Sequence, residues 1–550
     1  MATADTGEQD LADAMAARRA IEAALGASNL HRAVALARAA LARGFRDPLF
    51  HSLIADELQE QGRFAEAMGE LQRAYELAPR DVLILNAIGR CLTAQGRVEE
   101  ALKTLDASLA IEPQYPITHI DRADALALAQ EFDEARSAFR TALAILPDSA
   151  GALAGLAAVE LRLGALDEAR ELAERALTLE PDQPNASVTL AEVEAGEGDG
   201  VRAERLVRSA LGSDLRPDLH AHARSVLGDA LDSQGRYSEA FASYAAAGAE
   251  LRALHAGRYA RADEPTIVEM VRWLRERFEP VAPGEWIGPP HPPRESDPRV
   301  HVFFLGFPRS GTTLFEQVLA SHPDVVALDE RQVLAEATRD LYTSDRKLDR
   351  LKSLGADEAE IYRDAYWRRV AQYCPPANGK VFVDKHPLNT TSLGLIAKLF
   401  PDAKVVFAVR DPRDVVLSSF RRRFRMNPAM YELCTLEGAA AFYDAVMRLG
   451  AEFRAKLALP FHEVRYERLV EDLRAETEAV GRFIELPWDD AMLDFADTAR
   501  SRRVRTPSAR QVVRGLYSQG VGQWRNYRAE LEPVRSLLAP WVDAFGYPED

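Results

Sequence analysis

The chain of 550 residues has little cysteine, no long apolar run and no excess of positive charge. Its cysteines, Cys91, Cys374 and Cys434, are odd in number and far apart, without a CxxC pair, so neither a disulfide framework nor a structural zinc site is expected. No stretch approaches 18 uninterrupted apolar residues, and the acidic amino terminus lacks a basic start and an apolar core. No signal peptide or membrane span is therefore expected, and a cytoplasmic, reducing setting is predicted.

Positive charge is also scarce. The 68 Lys and Arg residues against 85 Asp and Glu residues give a net charge of −17. This balance argues against a nucleic-acid partner or an anionic membrane surface for the chain as a whole. Any anion-binding site must therefore be local.

A period of 34 residues runs through the first half, which predicts helix pairs that pack through small residues. Glycines stand between the two helices of most repeats, although Gln130 interrupts their series, and prolines close four repeats. The pattern resembles tetratricopeptide repeats over residues 14–250, with a degenerate first unit. The resemblance implies an α-solenoid whose concave groove binds a peptide or protein; support of the second domain or dimerisation is the alternative. The clearest series is Ala33, Ala67, Ala101, Ala135, Ala169, Ala203 and Ala240.

A second domain follows a change in composition. Residues 251–298 are predicted to be a helix and a linker, because seven prolines crowd Pro280–Pro298. From residue 299 to residue 550, short apolar runs alternate with helical stretches, as in an α/β domain with a central parallel sheet. The predicted strands are residues 299–306, 324–328, 380–384, 404–409 and 461–465.

Polar side chains follow each predicted strand, where a parallel sheet binds its ligands. Gly306-x4-Gly311-Thr312-Thr313 has the spacing of a phosphate-binding loop, but Thr312 stands where nucleoside-triphosphate enzymes have Lys. Backbone N–H groups at the start of the following helix and the Arg309 guanidinium could still hold an anion. Arg410 and Ser418 could hold a second anion. For the run of arginines at 421–425, a solvated helix face and ligand contact both remain open.

The segments FPRSGTTL, VRDPRDVVLSS and TPSARQVVRGLYSQGVGQWRNY resemble the sulfotransferase domain of the tyrosylprotein-sulfotransferase-like group, which has members with tetratricopeptide repeats. The resemblance implies a P-loop-type fold that uses 3′-phosphoadenosine 5′-phosphosulfate as sulfuryl donor, without a metal. It makes Glu330 the general base, Lys385 the residue that stabilises the departing phosphate, and Ser508 a serine near the sulfuryl group. The donor-binding residues it implies are Arg309, Ser310, Gly311, Thr312, Thr313, Arg410, Ser418, Tyr466 and Arg514, with a less defined role for Trp524.

Several points depart from the family pattern or stay open. Gln332 and Glu336 stand where the tyrosylprotein enzymes have arginines for acidic peptides, so that preference does not carry over. His386, next to Lys385, is the rival base. A P-loop kinase would need a GK[ST] motif, which this sequence does not contain. A non-catalytic nucleotide-binding scaffold would not need Glu330 and Lys385 together. Peptide tyrosine, sugar, lipid and small phenol all remain possible acceptors, and the oligomeric state, a dimer included, is open.

Overall fold

The computed structural model describes residues 2–261, 263–291, 294–502, 512, 515–516 and 520–549. The chain divides into two compact units. One comprises residues up to Glu197 together with 208–213, and the other comprises 198–207 and the chain from Asp214 onward. The first fourteen helices are α1 (Ala2–Gly26), α2 (Leu30–Ala42), α3 (Pro48–Glu60), α4 (Phe64–Leu77), α5 (Val82–Ala94), α6 (Val98–Ile111), α7 (Pro116–Leu128), α8 (Phe132–Ile145), α9 (Ala150–Leu163), α10 (Leu166–Leu179), α11 (Pro184–Glu197), α12 (Gly200–Leu211), α13 (Pro217–Ser233) and α14 (Tyr237–Tyr259).

The repeat helices pack through the predicted small residues. Every alanine of the series from Ala33 to Ala240 is fully buried, which confirms the helical solenoid. The turn inside each repeat needs a left-handed residue, and glycine meets this need at φ +73° to +95° in five repeats. Gln130, which interrupts the glycine series, adopts the same conformation at φ +65°. The turn geometry is therefore set by the packing of the repeat and persists without glycine.

The second unit contains a five-stranded parallel sheet in the order β2-β3-β1-β4-β5, which confirms the predicted α/β class. The strands are β1 (Val300–Leu305), β2 (Val325–Asp329), β3 (Val381–Lys385), β4 (Lys404–Val409) and β5 (Phe461–Arg465). The helices are α15 (Ile267–Phe278), α16 (Thr312–Ala320), α17 (Ala335–Leu341), α18 (Asp345–Lys352), α19 (Ala356–Val370), α20 (Leu393–Leu399), α21 (Pro412–Arg421), α22 (Pro428–Glu432), α23 (Leu436–Lys456), α24 (Tyr466–Glu471), α25 (Leu473–Ile484), α26 (Phe495–Arg502), α27 (Arg528–Leu531) and α28 (Arg535–Ala544).

The order of the strands locates the ligand crevice. The chain runs from β1 to β2 at one edge of the sheet and from β4 to β5 at the opposite edge. Such a reversal opens a crevice at the carboxyl ends of the two central strands. The three central strands beneath it, β3, β1 and β4, are largely buried on both faces and mostly apolar. The loops after β1 and β4 therefore form the two walls of one cleft.

The last repeat helices belong to the same compact unit as the sheet. Arg421, at the end of α21, pairs with Asp232 of α13 at 2.8 Å and is 7% exposed. Its guanidinium lies between the rings of Tyr244 and Tyr527, at 5.0 and 5.2 Å from their centroids. Neither a solvated helix face nor ligand contact, the two alternatives left open by the sequence, describes this arginine, because it is a buried cation held by the last repeat. In the described part of the chain, no helix has an apolar stretch long enough to cross a bilayer.

Candidate functional site

The loop between β1 and α16 presents its backbone to the cleft. Gly311 is the amino-terminal cap of α16 at φ +89°, and no side chain caps this end of the helix. A side chain at Gly311 would lie 2.5 Å from the Tyr466 ring, so only glycine fits both the conformation and the contact. The backbone N–H groups of the first turn and the helix dipole make this end suited to an anion. Ser310, Thr312 and Thr313, which complete the loop, are all buried.

The two predicted phosphate motifs meet across the cleft. Arg309 Nε donates to Ser418 Oγ at 3.0 Å, which joins the loop after β1 to α21. Arg410 Nη1 donates to the carbonyl of Arg309 at 2.9 Å, and Nη2 donates to the carbonyl of Gly520. The guanidinium of Arg410 also lies 4.7 Å from the centroid of the Tyr466 ring. All four side chains therefore border one space between β1 and β4.

The electrostatics of this space favour a bound anion. Burial, together with the charges of Arg422 and Arg410, lowers the pKa of Arg309 to about 9. Arg410 is also buried, and its Nε has no hydrogen-bond partner among the described residues. Buried cations need hydrogen bonds or opposite charge, and a phosphate would supply both. The cluster has the chemistry of a phosphate site.

A second cluster lies at the ends of β2 and β3. Lys385 is fully buried; its Nζ lies 2.7 Å from Glu330 Oε1 and 3.3 Å from Glu316 Oε2, and it also pairs with Asp329. Burial alone would lower the pKa of Lys385, but the three carboxylates outweigh burial and raise it. The same ammonium gives Asp329 a lowered pKa despite the burial of that carboxylate. Lys385 is thus a fixed positive charge beside the cleft.

Glu330 has an unusual backbone for a non-glycine residue. Its φ is +37°, while its N–H donates to the carbonyl of Lys385 at 2.8 Å. Its side chain remains 38% exposed, so it can reach both Lys385 and a molecule in the cleft. Such backbone conformations concentrate at functional sites, where the surroundings hold them.

Residues 301–490 match a family described as "Sulfotransferase family". Residues 58–119, 126–192 and 188–251 match tetratricopeptide repeats. The chain combines tetratricopeptide repeats with a sulfotransferase-family domain. An uncharacterised protein of Aquifex aeolicus is 28% identical over 290 residues, which cover 51% of this chain and 37% of that protein. A protein-tyrosine sulfotransferase 1 of Danio rerio is 28% identical over 264 residues, which cover 45% of this chain and 72% of that protein.

Neither relative matches the whole chain, and the first is matched over little more than a third of its own length. A solved tetratricopeptide repeat protein of Thermus thermophilus is 24% identical and covers 33% of this chain and 98% of its own, with a TM-score of 0.30. The family matches thus give the type of each half of the chain, while donor, acceptor and partners are matters of proposal.

Within the sulfotransferase-family domain, the rival base His386 is partly buried beside Lys385, and burial lowers its pKa. Its Nδ1 has no hydrogen-bond partner in the described chain. Glu336 pairs with Arg369 at 2.8 Å, while Gln332 is exposed. Trp524 is buried, and its backbone N–H donates to Asp414 at 2.8 Å. Ser508 and Arg514 lie outside the described residues.

Sequence reasoning missed two charged residues of the sulfotransferase-family domain, Asp329 and Glu316, and left a third, Arg422, unassigned. Arg422 adds a cation beside Arg309 and pairs with Asp229 of α13 at 3.3 Å. Asp329 had a visible signal, since it directly precedes Glu330 at the end of a strand. Glu316 is the one charge in the apolar sequence of α16, which is a signal only once the burial of that helix is known.

Proposed function

We propose that the protein is a sulfotransferase that moves a sulfuryl group from 3′-phosphoadenosine 5′-phosphosulfate to an acceptor hydroxyl. The observation that carries the proposal is the pairing of Lys385 with Glu330 at 2.7 Å beside the arginine cluster of the cleft. A cation, a base and a phosphate site are what sulfuryl transfer needs at one place. The family match supports the same chemistry.

The cleft suits the two phosphates of this donor. The uncapped start of α16 is suited to the 5′-phosphosulfate, as the motif from Arg309 to Thr313 implies. Arg410 and Ser418 are suited to the 3′-phosphate. The buried Arg410 Nε without a partner among the described residues and the lowered pKa of Arg309 both favour an anion there. Tyr466, packed on Gly311, would contact the nucleotide.

In the proposed reaction, Glu330 accepts the proton of the acceptor hydroxyl. The acceptor oxygen forms a bond to sulfur as the bond from sulfur to the 5′-phosphate oxygen breaks, and 3′-phosphoadenosine 5′-phosphate leaves. Lys385 stabilises the charge that grows on that oxygen. Its ammonium has three N–H donors, of which Asp329 and Glu330 accept two. Ser508 would act near the sulfuryl group, and Arg514 would contact the nucleotide.

The acceptor is a separate question, and we infer that the repeats select it. Tetratricopeptide repeats present a concave face to peptides and proteins, and the relative from Danio rerio is named a protein-tyrosine sulfotransferase. A protein tyrosine is therefore the first acceptor to test. The cytoplasmic setting, like the domain boundaries at residues 250 and 298, stays a prediction.

The test is transfer of radiolabelled sulfate from the donor to a panel of tyrosine peptides and small phenols, with EDTA present. Glu330→Gln should lower turnover by about 10²–10⁴ while leaving affinity for 3′-phosphoadenosine 5′-phosphate nearly unchanged, because a general base acts on the acceptor. Glu471→Gln, a change of the same kind at an exposed position, is the matched control. If His386→Ala has that effect and Glu330→Gln does not, His386 is the base. Nucleotide binding with no transfer to any acceptor would favour a non-catalytic scaffold.

A further inference from the structure

The helix that follows the phosphate loop carries a buried carboxylate that the reaction has not used. Glu316 lies in the middle of α16, between Phe315 and Gln317, and is 0% exposed. Its Oε1 accepts from Arg502 Nη1 at 2.9 Å. Its Oε2 lies 3.3 Å from Lys385 Nζ and makes no hydrogen bond within the described residues. Glu316 thus connects α26 to the cation of the proposed active site.

Burying the Glu316 carboxylate costs free energy, which points to a role beyond packing. A buried carboxylate costs several kcal/mol in desolvation, and an apolar side chain of similar size is often as stable at such a position. Burial raises the pKa of Glu316 even though Lys385 and Arg502 oppose the shift. The neighbouring residues of α16 are apolar or amide side chains, so packing alone does not require a charge.

The geometry around Lys385 suggests that purpose. When Glu330 accepts the proton of the acceptor hydroxyl, it becomes neutral, and the ammonium then loses one of its carboxylates. Asp329 and Glu316 remain beside Lys385. Without them, burial would favour the neutral amine. A neutral amine could not stabilise the departing phosphate.

We propose that Glu316, held by Arg502, is a positioning residue that keeps the Lys385 ammonium charged and in place while Glu330 serves the acceptor. This role rests on the proposed sulfotransferase function. The charged groups that face Glu316 are Lys385 from β3, Asp329 from β2 and Arg502 from α26. Arg502 is itself anchored by the carbonyl of Ala327 at 2.7 Å, so it can hold Glu316 in one orientation.

The test in the full chain is Glu316→Gln, which keeps the shape of the side chain and removes its charge. We expect kcat to fall by about tenfold or more, the size of one charge-assisted contact. The affinity for 3′-phosphoadenosine 5′-phosphate and the acceptor KM should change by less than about twofold, because no contact to either is removed. The alkaline limb of the kcat profile should move to lower pH, since Lys385 loses a carboxylate that favours its charge.

A second variant keeps the proposal testable if Glu316→Gln does not fold. Arg502→Gln leaves Glu316 without its cation, so the carboxyl group takes up a proton and the same alkaline shift should follow. Because both variants remove one negative charge beside Lys385, their effects on kcat should not add in the double variant. Arg500→Gln, on the same helix and exposed, is the control and should keep the wild-type profile.

The outcomes separate the two proposals. Active wild-type protein whose alkaline limb is the same in both variants would overturn the role of Glu316 and leave the sulfotransferase function intact. A loss of thermal stability with an unchanged pH profile would make Glu316 structural only. Wild-type protein that neither binds the nucleotide nor transfers sulfate would overturn the proposed function, and the role of Glu316 with it.

Discussion

The ion pair between Arg421 and Asp232 provides the sharpest test of how the last repeat supports the proposed donor site. Arg421 Nη2 lies 2.8 Å from Asp232 Oδ2 and donates to the Tyr244 hydroxyl at 3.2 Å. The Tyr527 hydroxyl donates to the other oxygen of Asp232. Asp232→Asn therefore removes the charge that compensates a buried guanidinium while keeping one acceptor oxygen.

We expect Asp232→Asn to lower the free energy of unfolding by a large amount. Removing one partner of a buried pair costs about 3–5 kcal/mol, because the remaining charge stays desolvated. Asp232 is 24% exposed and its amide replacement retains an acceptor, so we expect about 3 kcal/mol, at the lower end of this range. Arg421→Met added to Asp232→Asn should recover most of the loss, because the double variant leaves no unpaired charge.

The measurement is urea unfolding of the full chain, followed by pulse proteolysis with fragments assigned to each compact unit. The matched control is Asp218→Asn, on the same helix and half exposed, which should change stability by less than about 0.5 kcal/mol. Equal stability of the Asp232 and Asp218 variants would overturn the stabilising role of this ion pair, as would a double variant less stable than Asp232→Asn alone.

Two further predictions concern the sheet domain. Arg410→Ala should weaken binding of 3′-phosphoadenosine 5′-phosphate by about 1.5–3 kcal/mol and weaken ADP, which lacks the 3′-phosphate, much less; equal losses in calorimetry would remove Arg410 from that phosphate. Burial raises the pKa of Asp384 from 3.8 to about 7. Between these two pH values, the folded protein keeps a proton on this carboxyl group that the unfolded chain has lost. Stability is therefore lost as pH rises from 3.8 toward 7, and Asp384→Asn should remove this slope and stabilise the protein at about pH 8, by at most about 4 kcal/mol. Urea midpoints at about pH 5 and pH 8 that shift in parallel for both proteins would contradict this.

Much of the fold could be predicted because its signals are local. The 34-residue period placed the repeat helices, and apolar runs placed the strands within about one residue, as with β1 at Val300–Leu305 against the predicted 299–306. The end of a parallel strand is likewise a local property. For this reason Arg309, Lys385 and Arg410 were predicted to share one edge of the sheet, and the structure brings them there.

The residues that sequence reasoning missed or left unassigned depend on distant partners. Glu316 could be a solvent-facing charge or a buried one, and only the packing of α16 against β2, β3 and α26 decides between them. Arg422 could not be assigned because its partner, Asp229, lies 193 residues earlier in the chain. Pairings over such separations leave no periodic trace in a single sequence.

The boundary between the two halves of the chain also shows the difference between local sequence signals and contacts with distant residues. The repeat period continues to about residue 250, because each helix pair obeys a local packing rule. The compact unit that contains the sheet nevertheless includes α13 and α14, since the carboxylates of α13 pair with Arg421 and Arg422. These arginines lie three and four residues after Ser418 of α21, which borders the proposed donor site. The last repeat therefore forms part of the support of the proposed donor site, and a fragment that begins at the proline-rich linker would leave Arg421 buried without its partner.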